Sequence, residues 1–172
     1  MICLIGSALF GILDASVYEL DSGWAFWLAN LVSLWLLMPF VFGTGFRKPL
    51  VSALLGLATT QVALLAFYLW LANFQISGMP FQWLFMSNYV AAGLVTGPLF
   101  GWMGGLWATR RWSAAGLILA AAFLIEPFAW RIYLGRWQPV FLLSVAEVVA
   151  GVIMVRFFTM KSRHADTHAL AA

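Results

Sequence analysis

Charged residues are scarce in this chain. Only nine Lys or Arg and six Asp or Glu occur among 172 residues, which is 9%, whereas a soluble domain carries about 25%. Because so few charges cannot keep the surface of a globular fold in water, their scarcity excludes a soluble domain, and it also excludes a disordered chain. Nine cations at membrane edges form no nucleic-acid footprint, so we predict no nucleic-acid partner.

Cysteine and histidine are almost absent as well. Cys3 is the only cysteine, so an intrachain disulfide is excluded. The two histidines, His164 and His168, lie in a polar C-terminal segment, which excludes a membrane Ser–His hydrolase and haem ligation within the membrane. Their spacing suits a metal, but we interpret it as a solvated helix or a disordered tail, and we predict no metal and no cofactor. A phosphate-binding G-x-x-x-x-G-K-[ST] loop is also missing, so the chain itself does not hydrolyse ATP.

Long apolar runs fill the sequence instead. Hydrophobic residues make up 64% of it, and a bilayer core about 30 Å thick needs roughly 20 such residues per helix. Six runs approach or exceed that length, at Met1–Glu19, Trp24–Phe42, Leu50–Phe74, Phe81–Ala108, Ser113–Leu134 and Val140–Thr159. They are twice as long as β-barrel strands and do not alternate in polarity. We therefore predict an all-α, polytopic bundle of six transmembrane helices over residues 1–160, followed by a polar, disordered cytoplasmic tail over residues 161–172.

The basic residues predict the orientation of this bundle. With six spans, both termini and the second and fourth loops lie on one side of the membrane. The basic residues of that side are Arg47, Lys48, Arg110, Arg111, Arg156, Lys161 and Arg163. The opposite side carries only Arg131 and Arg136. The positive-inside rule makes the first side cytoplasmic, so we predict an N-in/C-in, multi-pass protein of the cell membrane with the lipid bilayer as its partner.

Small residues at four-residue intervals predict where the helices pack, because backbones approach closely at such positions in lipid. The stripes are Gly93, Gly97, Gly101 and Gly105 in the fourth run, a glycine zipper, and Ser7, Gly11 and Ala15 in the first. Two interpretations remain open for them. The stripes pack within the bundle, or one of them docks a membrane-protein partner or a second copy of the chain.

Polar residues inside the predicted spans are candidate functional residues, because charges and amides are costly in lipid. They are Asp14, Asn30, Gln61, Asn88, Glu126 and Glu147. Each comes from a different helix, and at a rise of about 1.5 Å per residue all except Gln61 fall in one layer of the outer half. We predict that they converge there, with Arg131 lying about one turn above Glu126 as a partner for an acid.

This convergence has several interpretations. An outward-facing pocket lined by acids and tryptophans suits a cationic or amphipathic small molecule, or movement coupled to protonation. Asn30, Asn88 and Gln61 also fit hydrogen bonds between helices. Asp14 equally fits an acid that reaches water at the outer end, and Glu126 and Glu147 fit a buried ion pair with Arg131 or Arg136.

The sequence thus predicts a membrane binding or transport protein that works with partner subunits or protons. Its predicted ligand-binding residues are Asp14, Asn30, Asn88, Glu126, Arg131 and Glu147. The alternative is a non-catalytic accessory subunit of a larger membrane complex. A third hypothesis is a lipid-modifying enzyme that uses the carboxylates as acid and base, although no catalytic residue is assigned.

The stretch from Phe81 to Val152 resembles an uncharacterised family of small six-span bacterial membrane proteins that is common in actinobacteria. The matching features are Val95-Thr96-Gly97-Pro98-Leu99-Phe100-Gly101, Trp107 after it, Glu126 in the next helix, Leu28-Ala29-Asn30 with Trp35, and the loop Arg47-Lys48-Pro49. This resemblance covers most of the chain and implies a location in the bacterial inner membrane, but it implies no function.

The size, the six spans and the segment Gly97–Gly101 are also similar to the substrate-capture subunits of energy-coupling-factor vitamin transporters. In those subunits a small-residue face on the first helix docks a coupling protein, and the substrate binds in the outer half. The resemblance implies that Ser7, Gly11 and Ala15 form the docking face and that the acid layer forms the site. The Gly-Pro segment lies in a later helix than in that family, and the outer loops are short.

Overall fold

The computed structural model describes residues 1–20, 22–74, 83–110, 112–134 and 141–170. Over these residues the chain forms α-helices and no strand, which confirms the all-α class. The helices are α1 (Ile2–Tyr18), α2 (Gly23–Ala29), α3 (Val32–Gly43), α4 (Pro49–Phe74), α5 (Trp83–Arg110), α6 (Ser113–Leu134) and α7 (Phe141–Leu170). The last helix therefore continues into the segment that was predicted as a polar tail.

The lengths of the helices indicate a membrane protein. Four helices of the described part, α4 to α7, are individually long and apolar enough to cross a bilayer. Helices α2 and α3 reach that length together and are bent by 41° at a short break, which is the geometry of a broken span or of a re-entrant loop. Helix α1 is apolar but has 17 residues, somewhat fewer than the roughly 20 that a perpendicular span needs. Six crossings and their direction stay a prediction.

The second span differs from the predicted continuous helix over residues 24–42. The backbone N–H groups of Asn30 and Leu31 donate to the carbonyls of Trp27 (3.2 Å) and Leu28 (3.3 Å), in a tightened last turn of α2. The backbone of Leu31 is then extended, with ψ near 105°, before α3 begins. The break leaves backbone groups that the helical ladder no longer pairs.

Helix α4 is at the centre of the bundle and packs against α1, α3 and α5. Its contact with α5 joins backbone to backbone: a Cβ on Gly101 would overlap the carbonyl oxygen of Ser52, and one on Gly56 would overlap that of Gly97. Gly93 and Gly105 lie against side chains of the same helix. The glycine zipper is therefore covered by α4.

The small-residue stripe of α1 is covered in the same way. Ser7, Gly11 and Ala15 are buried, and a Cβ on Gly11 would overlap the carbonyl oxygen of Ala63 in α4. The Ser7 hydroxyl donates to the carbonyl of Cys3, 2.7 Å away and one turn earlier. Both stripes thus pack within the chain, and neither lies free for a partner in this conformation.

Aromatic and apolar side chains hold the helices together at one end of the bundle, which we call the Lys48 end. Phe40 of α3, Phe100 and Met103 of α5, Phe123 of α6 and Phe158 of α7 belong to one buried cluster. The α6–α7 pair packs mainly on itself, and this cluster is one of its connections to the rest of the bundle. The opposite end, where α1 ends and α2 begins, is the Glu19 end.

Replacing Gly101 by alanine is expected to lower the free energy of unfolding in detergent micelles by about 1–3 kcal/mol, because overpacking of a tight contact has that cost. Thermal unfolding of the purified protein measures the effect. The matched control is Gly23→Ala at the start of α2, since a Cβ there meets nothing within 4 Å and should change stability by less than about 0.5 kcal/mol. Equal stability of the two variants would contradict the packing described.

Candidate functional site

The carboxylate of Glu126 binds the free end of α3. Its Oε1 accepts a hydrogen bond from the backbone N–H of Val32 at 2.6 Å, and its Oε2 accepts one from the N–H of Ser33 at 2.7 Å. The first N–H groups of any helix lack partners within the helix and carry partial positive charge. A carboxylate from α6, 94 residues later in the chain, therefore supplies both acceptors and a compensating negative charge.

The other side of the break is satisfied by Asn30. Its Nδ2 donates to the carbonyl oxygen of Phe26 at 2.7 Å, an acceptor that the tightened turn has released from the helical ladder. Irregular backbone at membrane depth is tolerated only where protein or water pairs its polar groups. Asn30 and Glu126 together do this for the bent span, one at each side of the bend.

Tryptophan side chains cover this junction. The indole N–H of Trp130, one turn beyond Glu126 on α6, approaches Oε1 of that residue at 3.4 Å. The ring of Trp130 meets the buried ring of Trp27 edge to face, with centroids 5.3 Å apart. The pair places α2 against α6 immediately beside the break.

Glu147 of α7 lies against Glu126, and the two carboxyl groups interact directly. Glu147 is only 3% exposed. Neither of its carboxyl oxygens has a hydrogen-bond partner among the described residues, and the same holds for the fully buried hydroxyl of Ser33. The junction therefore holds three buried polar atoms that the described part of the chain does not pair.

A separate cavity of about 470 Å³ lies among α1, α2, α3, α4 and α5, with Trp130 of α6 at its edge. Asp14 lines it, and the Asp14 carboxylate accepts a hydrogen bond of 3.2 Å from the indole N–H of Trp35. The polar residues that also line the cavity include Tyr18, Glu19, Asn30, Thr60, Tyr68 and Tyr89. No Lys, Arg or His belongs to its described lining.

The predicted acid layer is divided into two groups. Asp14 and Asn30 line the cavity, whereas Glu126 and Glu147 meet at the start of α3. Asn88 is exposed on α5 and belongs to neither group. Gln61 links helices, since its Nε2 donates to the carbonyl of Val90 at 3.4 Å.

The side chain of Arg131 and the whole of Arg136 lie outside the described residues, and so do the predicted ion pairs of these arginines. Sequence reasoning missed the amides of Val32 and Ser33, because backbone groups leave no trace in the sequence. It also missed the tyrosines of the cavity. Tyr18 carried the one available signal, since it lies one turn from Asp14 on the same face of α1.

The long apolar helices of the described residues indicate a helical membrane protein. The chain belongs to a family of unknown function (DUF6518), whose sequence profile matches residues 1–172. No curated protein and no solved structure matches the chain. The family match confirms the predicted membership of an uncharacterised family, but nothing supports the resemblance to energy-coupling-factor subunits or an actinobacterial origin.

Truncating Glu126 to alanine is expected to lower the free energy of unfolding by about 2–6 kcal/mol, because each buried amide left without an acceptor costs about 1–3 kcal/mol. Glu126→Gln keeps one acceptor oxygen and should lose about half as much. Thermal unfolding measures the loss, and hydrogen exchange at Val32 and Ser33 locates it.

The matched control for Glu126→Ala is Ile125→Ala, the neighbouring residue on α6, which is 60% exposed. It should change stability by only about 0.5 kcal/mol. If Glu126→Ala unfolded like the control, or if the amides of Val32 and Ser33 exchanged at their original rates, the capping role would be wrong.

Proposed function

We propose that this protein binds a small organic cation with an apolar body in the cavity beside Asp14, as the recognition step of capture or transport. One observation carries the proposal: the cavity of about 470 Å³ contains two acids and no basic residue in its described lining. Its volume lies in the range of small-molecule sites, about 300–1,000 Å³.

The charge of the cavity supports a cationic ligand. The Asp14 carboxylate has one side-chain donor, Trp35, and an acid enclosed by apolar helices is costly without a positive partner. Glu19 adds a second acid at the end of α1. A bound cation would supply the missing countercharge, whereas a bound anion would meet repulsion from both residues.

The aromatic lining supports a ligand with delocalised or shielded charge. Tyr18, Tyr68, Tyr89 and Trp35 all contribute to the walls, and the faces of such rings attract cations. Thr60, midway along α4, adds a buried hydroxyl that has no partner among the described residues. The site thus combines two acids, several ring faces and one hydroxyl, which fits an amphipathic amine or quaternary ammonium compound better than an inorganic ion.

The distribution of basic residues supports an outward-facing cavity. If α2 and α3 form one span and α1 forms another, the chain crosses the membrane six times. Seven basic residues then lie at the Lys48 end and two at the Glu19 end. The positive-inside rule favours a cytoplasmic Lys48 end, so that the Glu19 end of the cavity would open to the outside.

Replacing Asp14 by asparagine is expected to weaken binding of tetraphenylphosphonium at least tenfold, which corresponds to about 1.4 kcal/mol. The asparagine keeps an acceptor for Trp35, so the packing of α1 should persist. Equilibrium dialysis of the radiolabelled cation against protein in nanodiscs measures the affinity, with empty nanodiscs correcting for partition into lipid.

Two controls separate charge from shape. Glu19→Gln also removes an acid, but at the end of a helix where water screens charge, and it should change the affinity less than about threefold. Neutral triphenylphosphine oxide should bind Asp14→Asn and the original chain alike. The proposal would be contradicted if the original chain and Asp14→Asn bound tetraphenylphosphonium with equal affinity. It would also be contradicted if a lipid occupied the cavity and tetraphenylphosphonium did not displace it.

Fusion reporters test the direction of the six spans. Alkaline phosphatase, which is active only outside the cytoplasm, should be active when inserted between Phe74 and Trp83 and inactive when fused after Ala172. Green fluorescent protein should give the opposite pattern, because it fluoresces only inside. The reverse result at either position would refute the N-in/C-in arrangement.

A further inference from the structure

Glu126 and Glu147 form a site that is separate from the cavity. Neither residue lines the cavity, both are buried at 8% and 3% exposure, and their carboxyl groups interact directly. The two residues differ in their partners. Both oxygens of Glu126 accept backbone amides of α3, whereas neither oxygen of Glu147 has a described donor.

Ionised carboxyl groups accept hydrogen bonds and donate none. Two adjacent carboxylates inside a span would therefore repel each other, without a hydrogen bond between them. The negative charge of Glu126 is already balanced by the start of α3. A proton on Glu147 removes the second charge and supplies the donor that the pair lacks.

We propose that Glu147 is a proton-binding site within the membrane and that its O–H donates to the α3-bound carboxylate of Glu126. Release of the proton breaks this O–H bond, passes the proton to water and leaves two neighbouring carboxylates. Binding of a proton from water reverses the step. No other reactant is required.

The charged and polar groups around Glu147 decide whether it binds a proton or pairs with a basic side chain. From α6 it faces the acid Glu126, and at the same junction α3 contributes the neutral hydroxyl of Ser33, which has no partner in the described part of the chain. No described basic side chain interacts with Glu147. The arginine nearest to Glu126 in the sequence is Arg131, and pairing of Glu147 with Arg131 is the alternative that the experiment must distinguish.

The proton site and the cavity share one residue of α3. Val32 is one of the residues that line the cavity, and its backbone N–H donates to the carboxylate of Glu126. A second negative charge on Glu147 would therefore act on the same helix start that forms part of the cavity wall. Through Val32, the protonation of Glu147 can therefore affect the wall of the cavity. The proton site itself does not depend on ligand binding in the cavity.

Infrared spectroscopy of the full chain in nanodiscs tests the proposal without any ligand. At neutral pH the original chain should show the C=O stretching band of a neutral carboxyl group buried from water. The comparison is made in the Asp14→Asn background, which removes the other carboxyl group that lines the interior of the bundle. There Glu147→Gln should lose the band that Asp14→Asn alone keeps. A band that is absent from Asp14→Asn, or that survives when Glu147→Gln is added to it, would overturn the proposal.

Thermal unfolding across pH provides the second measurement. The original chain should unfold at a lower temperature at alkaline pH, because loss of the proton leaves two buried carboxylates together. In the Asp14→Asn background, Glu147→Gln resembles the protonated state in shape and charge and should lose the dependence that Asp14→Asn alone retains. Identical pH profiles for the original chain and Glu147→Gln, a profile set by Na⁺ concentration in place of pH, or loss of the dependence in Arg131→Gln would each refute the proton site.

Discussion

Glu126 pairs the backbone amides that the bend between α2 and α3 leaves free. A helix that breaks within a membrane exposes amides and carbonyls that lipid cannot pair. Here the carboxylate of Glu126 accepts from Val32 and Ser33, and the amide of Asn30 donates to Phe26. These contacts allow α2 to diverge from α3 by 41°. Asn30 and Val32 beside the bend line the cavity, Trp130 packs on Trp27 next to it, and Glu147 lies against Glu126.

The two ends of the bundle differ because their residues differ in size. Towards the Lys48 end, Gly43, Gly56 and Gly101 bring three backbones into direct contact, so that no space remains between α3, α4 and α5. Towards the Glu19 end, tyrosines and tryptophans keep the helices apart, and α2 turns away. Small residues at one end and rings at the other give a bundle that is closed on one side and hollow on the other.

The helices and their close contacts were predictable because they depend on local composition. Apolar length predicted the long helices α4 to α7, and the spacing of Gly93, Gly97, Gly101 and Gly105 predicted a contact face, since both features are contained in one segment. The break was not predictable in this way. Asn30 in an apolar run also suits a continuous helix with one polar contact, and the acceptor for Val32 comes from a residue 94 positions away. The sequence does not reveal that Glu126 pairs with backbone amides, because every residue except proline carries such an amide.

The three membrane acids have different roles because they have different partners. Asp14 has one side-chain donor and faces a cavity, so its charge is available to a ligand. Glu126 has two backbone donors, and its charge is already matched by the end of a helix. Glu147 has no described donor and has Glu126 beside it. Because Glu126 cannot leave α3 without exposing two amides, Glu147 is the member of the pair whose proton can come and go while the bent span stays intact.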